Sequence, residues 1–270
     1  MTASTLVPII ALVSSLALAA PASAKAPTPK VEKVTWTTDG LTFEGELVYD
    51  AKLLAKKRTL PAVLVVHQWM GPTDHERERA ARLASLGYIA FVADVYGTEG
   101  RPKSREEAGP TSGRFKKDRA LFRARLLDNY ERMLAGRGVD KERTAIMGFC
   151  FGGTAALELA RAGAPIKAAV SFHGGLDSTN ADDGKNIKAS LLILHGAADP
   201  FVPAADIAAM VSELDAAKVD WQMVSYSGAV HSFTQRSAGD DPSKGAAYDA
   251  RADRRSWEVL VDFLTERLAP

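Results

Sequence analysis

The chain predicts an α/β fold, a mostly parallel sheet with helices on both faces and an N-terminal antiparallel hairpin. Two observations carry this. Short apolar runs alternate with segments of helical period along most of the 270 residues, the pattern of strand–helix–strand units joined by right-handed crossovers. Ahead of them, Val31 to Thr38 and Leu41 to Tyr49 alternate in polarity around Asp39-Gly40, a tight-turn dipeptide that closes a hairpin.

The elements follow in order. Pro61 to Val66 is apolar throughout, as a strand buried on both faces should be. Asp74 to Leu86 has helical period, with Asp74 placed to cap its start and Gly87 to stop it in a left-handed conformation. Ile89 to Val95 is another buried strand. The charged stretch from Thr98 to Asp118 breaks the rhythm and reads as a loop capping the site; Arg119 to Ala135 resumes as a long helix. Strands then fall at Thr144 to Met147, Ala168 to Phe172, Leu191 to Leu194 and Trp221 to Tyr226. Helices fall at Thr154 to Ala162, Ala204 to Ala217 and Ala246 to Leu268. No repeat or change of composition divides this region, so residues 31–270 read as one domain.

Composition narrows the function. With 34 basic and 33 acidic side chains the net charge is +1, which gives no field for holding nucleic acid or an anionic membrane. One cysteine excludes an intramolecular disulfide and any cysteine-rich metal centre. Leu6 to Ala20 is apolar and is followed by Ala22-Ser23-Ala24, an Ala-x-Ala cleavage site, although no Lys or Arg precedes Leu6. Residues 1–24 therefore read as a secretory leader and 25–30 as a linker, with a mature start near Lys25 and no membrane span once the leader is removed. The expectation is a periplasmic or secreted monomer that acts on a small molecule. Exported proteins usually keep cysteines in pairs, so a lone thiol suggests that its reactivity is used.

That thiol is Cys150, in Gly148-Phe149-Cys150-Phe151-Gly152-Gly153, between a short apolar strand and an alanine-rich helix. Gly-x-Cys-x-Gly has the spacing of the Gly-x-Ser-x-Gly nucleophile elbow, whose sharp turn demands neighbours without side chains. At the helix N-terminus a thiolate is stabilised. Ligands of such sheets bind at the carboxyl ends of strands, so partners of Cys150 should sit just after strands. Asp199 and His231 do, in the order nucleophile, acid, histidine that marks this hydrolase architecture. Imidazole titrates near neutrality and can take the thiol proton; the carboxylate would fix its tautomer and stabilise its cation. An oxyanion hole needs two N–H groups, read here as Phe151, directly after the nucleophile, and Trp69, with Gln68 next. Of the other histidines, His67 ends an early strand as oxyanion-hole scaffolding, and His75 reads as solvated. His173 and His195 line the site or satisfy backbone groups.

With these residues in hand, the chain resembles the dienelactone hydrolase family of α/β hydrolases over roughly Val31 to Leu268. The marks are the elbow, Asp199-Pro200, Gly228-Ala229-Val230-His231-Ser232-Phe233, and Leu86-Gly87-Tyr88 through Ala93-Asp94-Val95-Tyr96-Gly97. The resemblance implies a Cys150, Asp199, His231 triad, metal-free hydrolysis of esters or lactones, and no organic cofactor. It departs at Gln68, where members commonly carry Glu near the thiol. It departs again at Arg236, one position from where a substrate-binding arginine is expected. Arg105, or Arg101, would supply a second. Gln68, Arg236 and Arg105 are thus the substrate-binding candidates. The competing reading, from another class, is a non-catalytic small-molecule-binding protein on the same scaffold.

Overall fold

The structure is a computed structural model, describing residues 29–269. Residues 1–28, read above as a leader and most of a linker, lie outside the described residues. The hairpin forms as expected: β1 (Lys30–Thr38) and β2 (Leu41–Tyr49) pair antiparallel in register Thr38 to Leu41. Both Asp39 (φ 53°) and Gly40 (φ 74°) are left-handed, the conformation whose twist matches the flanking strands.

The remaining strands are β3 (Leu60–Val66), β4 (Ile89–Val92), β5 (Val139–Phe149), β6 (Ala168–Phe172), β7 (Ser190–Gly196) and β8 (Trp221–Tyr226). They complete an eight-stranded sheet of order β1-β2-β4-β3-β5-β6-β7-β8, parallel from β4 onward. Helices α2 (Asp74–Ser85) and α7 (Ala250–Arg267) cover one face through Leu83, Leu260 and Leu264. The other face packs against α1 (Ala51–Lys57), α3 (Arg105–Lys117), α4 (Arg119–Leu134), α5 (Phe151–Arg161) and α6 (Ala204–Ala216). The two apolar layers explain why β3, β5 and β6 carry continuous rather than alternating hydrophobic runs.

Several boundaries differ from expectation. The cap of α2 is Thr73, not Asp74: the Glu76 carboxylate accepts from both the Thr73 N–H (2.8 Å) and its hydroxyl (2.6 Å). Gly87 does follow the helix with φ 97°. Strand β4 stops at Val92, because Asp94 turns the chain. Its carboxylate takes N–H groups from Glu44, Tyr96 and Gly97 and pairs with Arg101 at 2.7 Å. Helix α7 begins at Ala250, since Gly245 to Ala247 is spent holding His231 through backbone bonds.

The largest difference is the charged stretch, which folds as α3. Pro110, Gly109 and Gly113 argue locally for a loop, yet Ser104 caps the start and Glu106 and Glu107 fill the first turn. Ala108, Ser112 and Phe115 then form one buried stripe. Tertiary burial of that stripe outweighs the weak helix propensity.

Candidate active site

Cys150 sits where β5 turns into α5, and it is the residue on which the turn pivots. Its φ of 55° and ψ of −112° lie in a region that side chains avoid, strain that is typical of functional positions. The glycines around it are sterically required. A Cβ on Gly148 would lie 2.1 Å from the Gly152 carbonyl oxygen, and one on Gly152 would lie 2.3 Å from the Val66 carbonyl oxygen. The Cys150 N–H is held from behind by the Phe172 carbonyl at 3.0 Å and by His173 Nδ1 at 3.2 Å. Because the amide donates, His173 Nδ1 must be the bare nitrogen; Nε2 carries the proton and faces Thr234 Oγ1 at 2.9 Å. Burial keeps this ring neutral, far below its ordinary pKa. His173 is therefore a support for the elbow.

The structure brings the three residues read as a triad into one place. His231 Nδ1 meets Asp199 Oδ2 at 2.8 Å, and the Asp199 side chain is fully buried. The other oxygen of Asp199 accepts the Phe201 N–H at 2.9 Å, which fixes the carboxylate. Burial disfavours a charged His231, yet the facing Cys150 sulfur and Asp199 outweigh it and push its pKa up to about 10. For Cys150 burial opposes the thiolate, and the His231 cation, Lys116 and the Phe151 amide more than compensate, leaving the thiol below its ordinary 9.0. The opposing pulls on the two groups are those of a thiol and an imidazole that each favour the charged form of the other. Lys116, half-buried at the end of α3, was not a sequence candidate; nothing local marks one lysine of a charged stretch.

The remaining candidates divide. Trp69, Arg105 and Arg236 line one cleft of about 740 Å³, together with Ser232 next to His231. Arg105 and Arg236 are exposed, with Arg236 over the Tyr248 ring at 5.4 Å. Gln68 is 2% exposed, does not line this cleft, and its Nε2 has no hydrogen-bond partner among the described residues. Arg101 is committed to Asp94 and is not free for substrate. His75 is half-buried and lines the cleft rather than standing in open solvent. It stands edge-on to Phe149 at 4.6 Å, and burial lowers its pKa to about 3. Phe201, missed from sequence, is 60% exposed and stands edge-on to His231 at 5.4 Å.

A nucleophile elbow at the carboxyl edge of a parallel sheet, with loops after β7 and β8 delivering an acid and a histidine, defines the α/β-hydrolase class. Residues 49–268 match the dienelactone hydrolase family, and the chain belongs to it. It is an ester or lactone hydrolase. A Salmonella typhimurium protein that carries the name carboxymethylenebutenolidase is 32% identical over 228 residues, 81% of this chain and 82% of that one. Among solved structures, one designated m3DLH is 37% identical with a TM-score of 0.85, covering 90% of this chain and 100% of its own. A dienelactone hydrolase-like promiscuous phosphotriesterase from metagenomic libraries is 38% identical with a TM-score of 0.84 over the same shares.

Proposed function

We propose that the protein is an exported thiol hydrolase that cleaves a small ester or lactone through an S-acyl enzyme. One observation carries the reading: Cys150, at φ 55° on the elbow, is coupled to a His231 that Asp199 holds at 2.8 Å. In the first step the Cys150 sulfur bonds to the carbonyl carbon and the carbonyl π pair moves onto oxygen, held by the Phe151 and Trp69 N–H groups. As the C=O re-forms, the alcohol oxygen leaves with the proton from His231. Water then gives a proton to His231 and attacks the acyl carbon, and collapse returns the sulfur and releases the acid. Neither step calls on a metal or an organic cofactor.

Cys150→Ala should abolish the acyl adduct seen by mass spectrometry with an activated aryl ester and lower turnover about ten-thousandfold or more. Unchanged turnover ends the reading. The export part rests on the apolar leader and the Ala22-Ser23-Ala24 site. N-terminal sequencing of protein from the extracytoplasmic fraction should begin at Lys25; recovery there of a chain starting at Met1 contradicts it.

A further inference from the structure

Phe151 opens a long helix, so its N–H direction is set by α5. Trp69 lies in the loop between β3 and α2, and its N–H finds no backbone acceptor among the described residues. The Gly71 N–H donates to the Gln68 carbonyl at 3.3 Å, and two buried rings add to this weak turn bond in aiming the amide. The Val95 N–H donates to His67 Nε2 at 3.2 Å. An amide can only donate, so Nε2 is bare and the proton sits on Nδ1. That Nδ1–H donates to the Gln68 carbonyl at 2.6 Å. The Gln68 carbonyl and the Trp69 N–H are opposite ends of one trans peptide, so fixing the first toward His67 turns the second away from it.

Tyr96 fixes the next peptide: its hydroxyl donates to the Trp69 carbonyl at 3.1 Å. Both rings also touch the other donor residue. His67 stacks on Phe151 at 5.6 Å and 12°, Tyr96 lies 5.2 Å from it, and His67 and Tyr96 meet edge-on at 4.6 Å. Tyr96 is in turn located by Asp94, which accepts the N–H groups of Tyr96 and Gly97. Burial lowers the His67 pKa to about 4, so the neutral tautomer survives through neutral pH.

We propose that His67 and Tyr96 are positioning residues that aim the Trp69 amide and set its spacing from the Phe151 amide, so that both converge on one oxyanion. The proposal rests on the reading of these amides as oxyanion donors to an S-acyl enzyme. It goes beyond that reading by assigning the geometry of the hole to two side chains that act through the peptides on either side of Trp69.

Two reactions of the same thiol in the intact protein test it. Acylation by a p-nitrophenyl ester builds charge on the carbonyl oxygen; alkylation by iodoacetamide displaces iodide at a saturated carbon and builds none. Tyr96→Phe keeps the ring and removes only the bond to Trp69. It should keep the parent thermal midpoint, slow acylation about tenfold with KM within about twofold, and leave alkylation within about twofold. His67→Phe keeps the stack on Phe151 and removes both hydrogen bonds, and should slow acylation about a hundredfold. A Tyr96→Phe protein that acylates at the parent rate overturns the proposal, as does alkylation that falls in step with acylation. The two readings fail separately: Cys150→Ala retaining turnover sinks the thiol mechanism. An inactive Cys150→Ala beside a parent-like Tyr96→Phe sinks only the aiming role.

Discussion

Around the thiol, side chains are buried and committed; in the neighbouring cleft lined by Trp69 and Ser232, two arginines are exposed. His173 and Asp199 each hold a defined partner within 3.2 Å, and both are buried. In that cleft, Arg105 and Arg236 are exposed and make no ion pair among the described residues. The contrast follows from what each region must do. Groups that stabilise a transition state have to be oriented before the reaction, which burial and hydrogen bonds achieve. If Arg105 and Arg236 recognise the distal part of a substrate, as proposed for the cleft, they can stay mobile and be ordered on binding, at some loss of affinity.

The sharpest way to break this comparison is to remove His231, the proposed base. His231→Ala should lower turnover about ten-thousandfold, by analogy with histidine removal in other triads. The sign of its pH effect follows from the causes acting on Cys150. Burial raises the thiol pKa and the His231 cation lowers it most, so without the cation burial dominates. The midpoint of the alkylation–pH profile should therefore move up, with a lower alkylation rate at pH 7. A midpoint that stays put would show that the imidazolium does not activate the thiol.

A smaller effect is expected at the rim. The double substitution of Arg105 and Arg236 by Ala should raise KM about tenfold for an ester bearing a free carboxylate and leave a neutral ester of the same size within about twofold. Because neither arginine is buried or paired, the thermal midpoint should not change. An equal loss on both esters would place their role outside anion recognition and weaken the contrast between the two regions.

Particular residues show how much could be read in advance. The elbow was legible because its demand is local: Gly148, Gly152 and Gly153 are there since a Cβ at any of them would collide with backbone. Asp199 and His231 were legible because each follows a strand, and strands carry a clear hydrophobic signal. The helix over residues 105–117 was not, as its Gly and Pro content points locally to a loop while its stripe of Ala108, Ser112 and Phe115 needs the core to bury it. Nor could the histidines be sorted. His75 looks like a surface residue in the first turn of a helix until Phe149 is placed against it.

The sequence by itself determined the architecture, the identity of the strained cysteine and the order of its partners, because strand periodicity, turn chemistry and glycine sterics act between near neighbours. Tertiary structure alone decided which ring supports which peptide. The bond from Tyr96 to Trp69 crosses 27 residues and that from His173 to Thr234 crosses 61. Such contacts depend on the order in which strands assemble in the sheet, and no local pattern encodes that order.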